Sequence, residues 1–342
     1  MSEELSDGFG SDLSEGYYKN KREEEEKNAK RRRQRKRPAV SPPRTPSGAA
    51  TRVLTGNSSR RKLPGGGCDY IILQPGDRDG YQKYMVPDED ALVGRGGYNT
   101  VHVIDSYMGN KYSFPVVIRF TKKGQEERPF PQTETEPAIQ KKVAHCPSIL
   151  GLLGYGTYRC YGDDKYGRYT IHEKADRIMP MFRSCKDVYL LTKTVSQLLS
   201  GLQCMHEARI CHNDIKPANI MYSRREDEAL YIDFGGANET GDAMSSWTRG
   251  FLDPTTKATG DKYSSEANDR WALGKTLLLL LNRSQLAPAA LKPLREIAEK
   301  LKVVKPVLTL EGALELLSQA AGGAAVGAAF HMPSLARLRL WE

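Results

Sequence analysis

His212-Asn213-Asp214-Ile215-Lys216-Pro217-Ala218-Asn219 is the stretch on which the reading of this chain turns, and Asp233-Phe234-Gly235 begins 14 positions after its last residue. Within it a carboxylate, a lysine and an amide stand close together, and a second carboxylate follows. Hard oxygen donors suit a divalent cation, and an ammonium group beside them suits a phosphate. Transfer of a phosphoryl group from a nucleotide to a hydroxyl needs these parts and few others, because such catalysis is mostly positioning and charge stabilisation.

The two stretches resemble the eukaryotic-type protein kinase family, whose catalytic loop reads H-R-D-L-x-x-x-N and whose metal loop reads D-F-G. The match is ordered, spaced and double. The resemblance implies an α+β, two-lobed fold, with an N-terminal antiparallel β-sheet lobe carrying one helix and a mainly helical C-terminal lobe. It also implies roles: Asp214 as base and orienter of the substrate hydroxyl, Lys216 neutralising charge on the moving phosphoryl group, and Asn219 and Asp233 holding magnesium, with ATP as donor. The lysine matches the serine/threonine form of the loop, D-x-K-P-x-N. Asn213 stands where the family has an arginine that grips a phosphate on the activation segment, which implies that phosphorylation there is not the main switch.

Upstream, Leu92-Val93-Gly94-Arg95-Gly96-Gly97-Tyr98-Asn99-Thr100-Val101 lies between two expected strands. Glycines let backbone N–H groups approach phosphates, and Val93, Gly94, Gly96 and Val101 fit the family's nucleotide lid; Asn99 stands in for its third glycine. In Val116-Val117-Ile118-Arg119 the arginine occupies the place of the family's lysine. It keeps the charge but is larger, planar and forked. Lys111, Lys122 and Lys123 are nearby cations out of register. Arg119→Lys is therefore expected to preserve or raise activity. Glu136 is the expected ion-pair partner of Arg119 on the following helix, with Glu134 as the alternative. Arg177-Ile178-Met179-Pro180-Met181-Phe182 is expected to run as a strand into the hinge between lobes.

Downstream, Thr248-Arg249-Gly250-Phe251-Leu252-Asp253-Pro254-Thr255 resembles the family's G-T-x-x-Y-x-A-P-E stretch, so Thr248 is expected to touch the catalytic loop. Thr255 replaces the glutamate that braces this stretch, so the brace must differ. Asp269-Arg270-Trp271-Ala272-Leu273-Gly274 matches D-x-W-x-x-G, with Asp269 expected to accept backbone N–H bonds.

Charged residues make up 27% of the 342 positions, apolar residues 39%, and the formal net charge is +9. Much of that charge sits in Lys30, Arg31, Arg32, Arg33, Arg35, Lys36 and Arg37, after the acidic block Glu23 to Glu26. Residues 1–66 can bury little apolar area to offset ordering entropy and are expected to be a disordered tail. Its basic run resembles a nuclear-import signal, making an import receptor a partner beside the protein substrates. The kinase-like domain is expected over 67–342, with an N-lobe at about 88–180 and a C-lobe at about 186–342. Asp187 to Ala208 is expected to be a long helix, because Leu191, Val195, Leu198, Leu202 and Met205 make one apolar stripe.

Six scattered cysteines without a C-x-x-C unit read as reduced intracellular thiols. His145, Cys146, Cys160 and His172 fit no zinc spacing. The polar, acidic start is no secretory signal, and the apolar run Trp271 to Leu281 is too short to span a bilayer. Nucleus and cytoplasm are the expected locations. The degraded upper-lobe motifs, the compact lower lobe and the Met-Pro-Met-Phe hinge look similar to kinases of large DNA viruses, herpesvirus-like ones among them. A pseudokinase scaffold is the competing reading; nucleic-acid binding through the basic arm ranks last, since no aromatic stacking set accompanies the arginines.

Overall fold

The computed structural model describes residues 70–75, 82–85, 92–95, 99–107, 109–121, 132–160, 166–260, 262–303 and 307–320. The tail at 1–66, Gly96 to Tyr98 of the glycine-rich loop, and Lys122 and Lys123 lie outside them.

The upper lobe is one antiparallel sheet of β1 (Tyr70–Pro75), β2 (Gln82–Met85), β3 (Leu92–Arg95), β4 (Asn99–Tyr107), β5 (Asn110–Thr121), β6 (Leu152–Cys160) and β7 (Tyr166–Glu173), in the order β2-β1-β6-β7-β5-β4-β3. Strands β1 and β2 join this sheet ahead of residue 88. β4 and β5 form a hairpin closed at Tyr107 and Asn110, and Gly109 takes φ +80° in its turn, a conformation open to glycine at no steric cost. Pro115 has no N–H to give, and it stands where the β4–β5 ladder lapses around Asp105. Ile104, Tyr107, Val116, Ile118, Phe120, Tyr169 and Ile171 build this lobe's core. Between β5 and β6 runs α1 (Gln132–Lys142); its Ile139, with Val143 just past its end, belongs instead to the larger, lower core.

The chain leaves the upper sheet at Lys174, whose N–H bonds the Pro115 carbonyl at 2.9 Å. It then enters β8 (Asp176–Arg177), the edge of a small sheet with β10 (Ile220–Ser223) and β11 (Glu228–Tyr231). The crossing between lobes is therefore Lys174-Ala175, and the expected strand at Ile178 to Phe182 is a helix, α2 (Ile178–Ser184). A short apolar run fits strand or helix alike. Pro180 decides it here, because a first turn has no N–H partner to lose.

α3 (Val188–Glu207) comes next, as expected. Asp187 caps it, its side chain accepting from the Tyr189 N–H at 2.8 Å. All five residues of the apolar stripe are fully buried, each burial stabilising by about 1.5–3 kcal/mol. After β9 (Ile210–Cys211) and β12 (Asn238–Glu239), which pair with each other, come α4 (Pro254–Ala258), α5 (Glu266–Leu281), α6 (Pro288–Leu301) and α7 (Leu310–Ala320). Gly274 lets α5 and α6 close on each other: a Cβ there would stand 2.6 Å from the Ala298 carbonyl oxygen. An antiparallel sheet lobe with one helix above a mainly helical lobe is the α+β, two-lobed arrangement the resemblance implies. Among the described residues no helix is long and apolar enough to cross a membrane.

The cysteines depart from expectation. Cys146, in the turn after α1, is bonded to Cys204 on α3, while Cys185 and Cys211 are free and buried. Scattered spacing in the chain says nothing about two thiols that the fold sets with Cα atoms 5.6 Å apart, inside the range a disulfide needs. His145 lies beside Cys146, whereas His172 turns its Nδ1 to the Gly151 carbonyl. The bond closes a separation of 58 residues, for which chain entropy gives roughly 4 kcal/mol. Reduction is expected to lower the thermal midpoint by several degrees, read by calorimetry with and without dithiothreitol. An unmoved midpoint, with both thiols shown alkylated after reduction, would remove the bond's stabilising role.

Candidate active site

Asp214 gathers the lower half of the site. The loop that carries it is held from below by Asp269, a fully buried carboxylate at the start of α5. Asp269 accepts the backbone N–H groups of His212 at 2.6 Å and Asn213 at 2.8 Å, and the Nε2 of His206 at 3.2 Å. The expected reason for that carboxylate is therefore met. Burying an unpaired carboxylate is costly, and three donors offset the cost. His212 donates from Nε2 to the Ile232 carbonyl at 3.0 Å, tying the loop to the strand that leads to Asp233. Asn213 adopts φ +64°, which asparagine tolerates better than most residues. Its amide donates to the Gly236 carbonyl and the Ser264 hydroxyl, both at 2.9 Å. Neutral bonds thus stand where an arginine would present its charge.

On this frame four side chains converge. Thr248 donates from Oγ1 to Asp214 Oδ1 at 2.6 Å. Lys216 Nζ reaches Asp214 Oδ2 at 2.7 Å and Thr248 Oγ1 at 2.8 Å. Asn219 Nδ2 donates to the Asp214 carbonyl and to Oδ2, each at 2.9 Å. Thr248 touches the catalytic loop as expected, although 34 positions separate it from Asp214. The segment after Thr248 is braced differently from the family pattern: Asp253 caps α4 by accepting from the Thr255 and Thr256 N–H groups, and its own N–H donates to Asn268 Oδ1 at 2.9 Å.

Arg119 gathers the upper half. Cross-strand register places Gly94 opposite Val101, Val101 opposite Arg119, and Arg119 opposite Thr170. Val93 is exposed beside Gly94 on β3. Arg119 spreads its fork over three acceptors: Nε to Thr170 Oγ1 at 3.3 Å, Nη1 to Asp233 Oδ1 at 2.9 Å, and Nη2 to Glu136 Oε2. Glu136 is thus brought to Arg119, as expected, while the side chain of the alternative, Glu134, lies outside the described residues. Lys111 is no substitute, standing eight positions earlier on the same strand, roughly 26 Å away at ~3.3 Å per residue. Burial works against the charge on Arg119, but Glu136 and Asp233 outweigh it and hold the guanidinium above its ordinary value. Burial raises the Glu136 carboxyl, and Arg119 works against that rise. Arg119 keeps its charge in this pair, because a guanidinium does not give up its proton. His172, two residues beyond Thr170, is pushed down to about 3 by burial and by the Arg119 charge, so it stays neutral.

Asp233 stands in the left-handed region at φ +64°, where non-glycine backbone is held by its surroundings at some cost. Behind it Phe234 is buried against the His212 ring. The donor set fits a hard divalent cation. With the amide nitrogen of Asn219 committed to Asp214, its Oδ1 is the free ligand atom. With Asp233 Oδ1 on Arg119, its Oδ2 is the other. Oxygen-only donors of this kind suit magnesium-like ions.

Thr170, Ser264 and Asn268 were not found from sequence. Each enters through strand register or long-range packing, for which a single chain carries no local signal.

Residues 88–315 match the family described as protein kinase domain. The chain is similar to serine/threonine-protein kinase nekl-2 of Caenorhabditis elegans, 27% identical over 218 residues, covering 59% of this chain and 57% of that protein. It is similar to cell division control protein 2 homolog 3 of Trypanosoma brucei brucei, 25% identical over 209 residues, covering 59% and 63%. Mitogen-activated protein kinase 13 of Mus musculus is 28% identical over 211 residues, covering 59% and 54%. The chain spans less than two thirds of the length of each. A two-lobed fold, a lysine and an amide closing on the Asp214 carboxylate, and a family match over more than half of its length together place this chain in the protein kinase family.

Proposed function

We propose that the chain is an active serine/threonine kinase, transferring the γ-phosphoryl group of ATP, with magnesium, to protein hydroxyls. The convergence of Thr248, Lys216 and Asn219 on one half-buried carboxylate carries this reading. The substrate oxygen bonds to the γ-phosphorus as its proton passes to Asp214, and the bond from that phosphorus to the ADP oxygen breaks. Lys216 meets the charge on the transferring oxygens. Asn219 and Asp233 would hold magnesium, which would supply further neutralisation of the phosphates. Arg119, set by Glu136, takes the α- and β-phosphates, and Val93, Gly94, Gly96 and Val101 cover the nucleotide. The competing scaffold reading draws on Arg119 and Thr255. It leaves Asp214, Lys216, Asn219 and Asp233 without a reason to occur together. Transfer of label from ATP by the full chain, beside Asp214→Asn, tests the assignment.

The kinase unit is taken to fill 67–342, with residues 1–66 as a tail whose Lys30 to Arg37 run binds an import receptor, giving a nuclear and cytoplasmic protein. Alanine at those basic positions is expected to move a fluorescent fusion out of the nucleus; an unaltered distribution would refute this. Arg119, in the place of the family's lysine, supports a large-DNA-virus origin, herpesvirus-like, although the Met-Pro-Met-Phe hinge no longer does. Recovery of the coding sequence from a cellular genome would end that idea.

A further inference from the structure

Thr248 fixes where the activation segment meets the reacting carboxylate, so the residues immediately after it lie beside any hydroxyl held there. Arg249 and Gly250 are exposed. Gly250 is two peptide units from Thr248, at most ~7.6 Å between Cα atoms. Its carbonyl accepts from Lys275 Nζ at 2.6 Å. Lys275 projects from α5 and stands 5.4 Å from the ring centres of both Phe251 and Trp271. The stem of Lys302, at the end of α6, packs on Gly274, where a Cβ would meet Lys302 Cγ at 3.0 Å. Lys257 rises from α4. Burial first, and then the charges of Lys302 and Lys257, push the Lys275 ammonium down. Lys302 therefore stands against the turn of α5 that carries Lys275, and Lys257 on α4 is near enough for its charge to act on Lys275.

Little offsets them. Glu299 takes Lys302 at 3.0 Å. Asp253 is turned inward to cap α4, and Glu266 acts on Arg270. Among the described residues no carboxylate pairs with Lys257 or Lys275. On the other side of Thr248, Trp247 is 40% exposed, and offers an apolar face next to the acceptor position. Like charges with too few carboxylates to match them cost stability, and they draw an anion of matching layout.

We infer that this basic, aromatic-edged surface of Lys257, Lys275 and Lys302, with Arg249 and Trp247, docks an acidic peptide segment of the protein substrate. The acidic side chains would lie within about three residues of the acceptor hydroxyl, given the ~7.6 Å reach from Thr248 to Gly250. The inference rests on the kinase reading for the word substrate, but the docking itself does not. Lys275 keeps donors for the ligand, because an ammonium has three and Gly250 uses one.

Three fluorescein-labelled peptides test it, each with one central serine flanked on both sides by glutamate, glutamine or lysine. Their binding to the full chain is followed by anisotropy at low salt. The glutamate peptide is expected to bind at least ~10-fold tighter than the lysine peptide, with the gap closing as salt screens the charges. Lys257→Gln with Lys302→Gln is expected to weaken the glutamate peptide by about threefold per lysine. Lys111→Gln, on the upper-lobe hairpin, is the control for net charge and is expected to change nothing. Equal binding of the three peptides, or a preference that survives the double variant, overturns the proposal. ATP turnover on the same samples reads the kinase assignment separately: turnover without a preference sinks only the docking surface, and a preference without turnover sinks only the kinase.

Discussion

Asp214→Asn is expected to lower phosphate transfer from labelled ATP by ~1,000-fold or more, the upper part of the range for a lost general base. The carboxylate accepts from Thr248 through Oδ1 and from Lys216 and Asn219 through Oδ2. An amide of the same shape offers only one acceptor atom. Its NH2 would face either the Thr248 hydroxyl or the Lys216 and Asn219 donors, so part of the cluster is broken whichever way it turns. It also has no basic oxygen for the substrate proton. Unchanged thermal unfolding would separate lost chemistry from lost fold. Equal label incorporation by the two proteins would show that Asp214 is not the base.

The second large effect is expected at Arg119. Arg119→Met removes the fork that joins Thr170, Glu136 and Asp233 across both lobes. It leaves the Glu136 carboxyl buried without its cation, a cost of about 3 kcal/mol or more. It also frees Asp233, and misplacing a reacting group by ~1 Å costs ~100-fold in rate. Loss of at least that size is expected, together with a lower thermal midpoint. Arg119→Lys is the sharper variant. By sequence alone, lysine should preserve or raise activity, as the family's own residue. The structure reverses that expectation. Three acceptors lie in three directions, spaced to a planar fork, and an ammonium on a shorter stem cannot meet all of them. A loss of ~10-fold is expected, measured as kcat/KM for ATP. Activity at or above the parent would show that the guanidinium geometry is incidental.

How far each feature is legible depends on how local its cause is. The long helix at Val188–Glu207 is readable to within a residue at each end, because its cap and its apolar stripe lie in the same stretch of chain. The helix at Ile178–Ser184 is not, because four apolar residues around a proline fit two conformations until neighbours choose. The Arg119–Glu136 pair is legible because one helix follows one strand. The partner at Thr170 is not, because it depends on which residue of β7 lies opposite Arg119. The Cys146–Cys204 bond defeats the reading of cysteine spacing for the same kind of reason: helix packing, and not spacing, brings the two thiols together.

By itself the sequence determined which residue types stand together in the central loop of the site. Asp214, Lys216 and Asn219 share one short loop, and covalent geometry alone keeps their Cα atoms within roughly 18 Å of one another, whatever the rest of the fold. Only the tertiary structure decided what that loop is held by and what reaches it from outside. Asp269 is 57 positions from His212, and Asp233 is 114 from Arg119. No local preference fixes contacts over such separations. They form because two cores, closed against each other, leave buried charges no other partners.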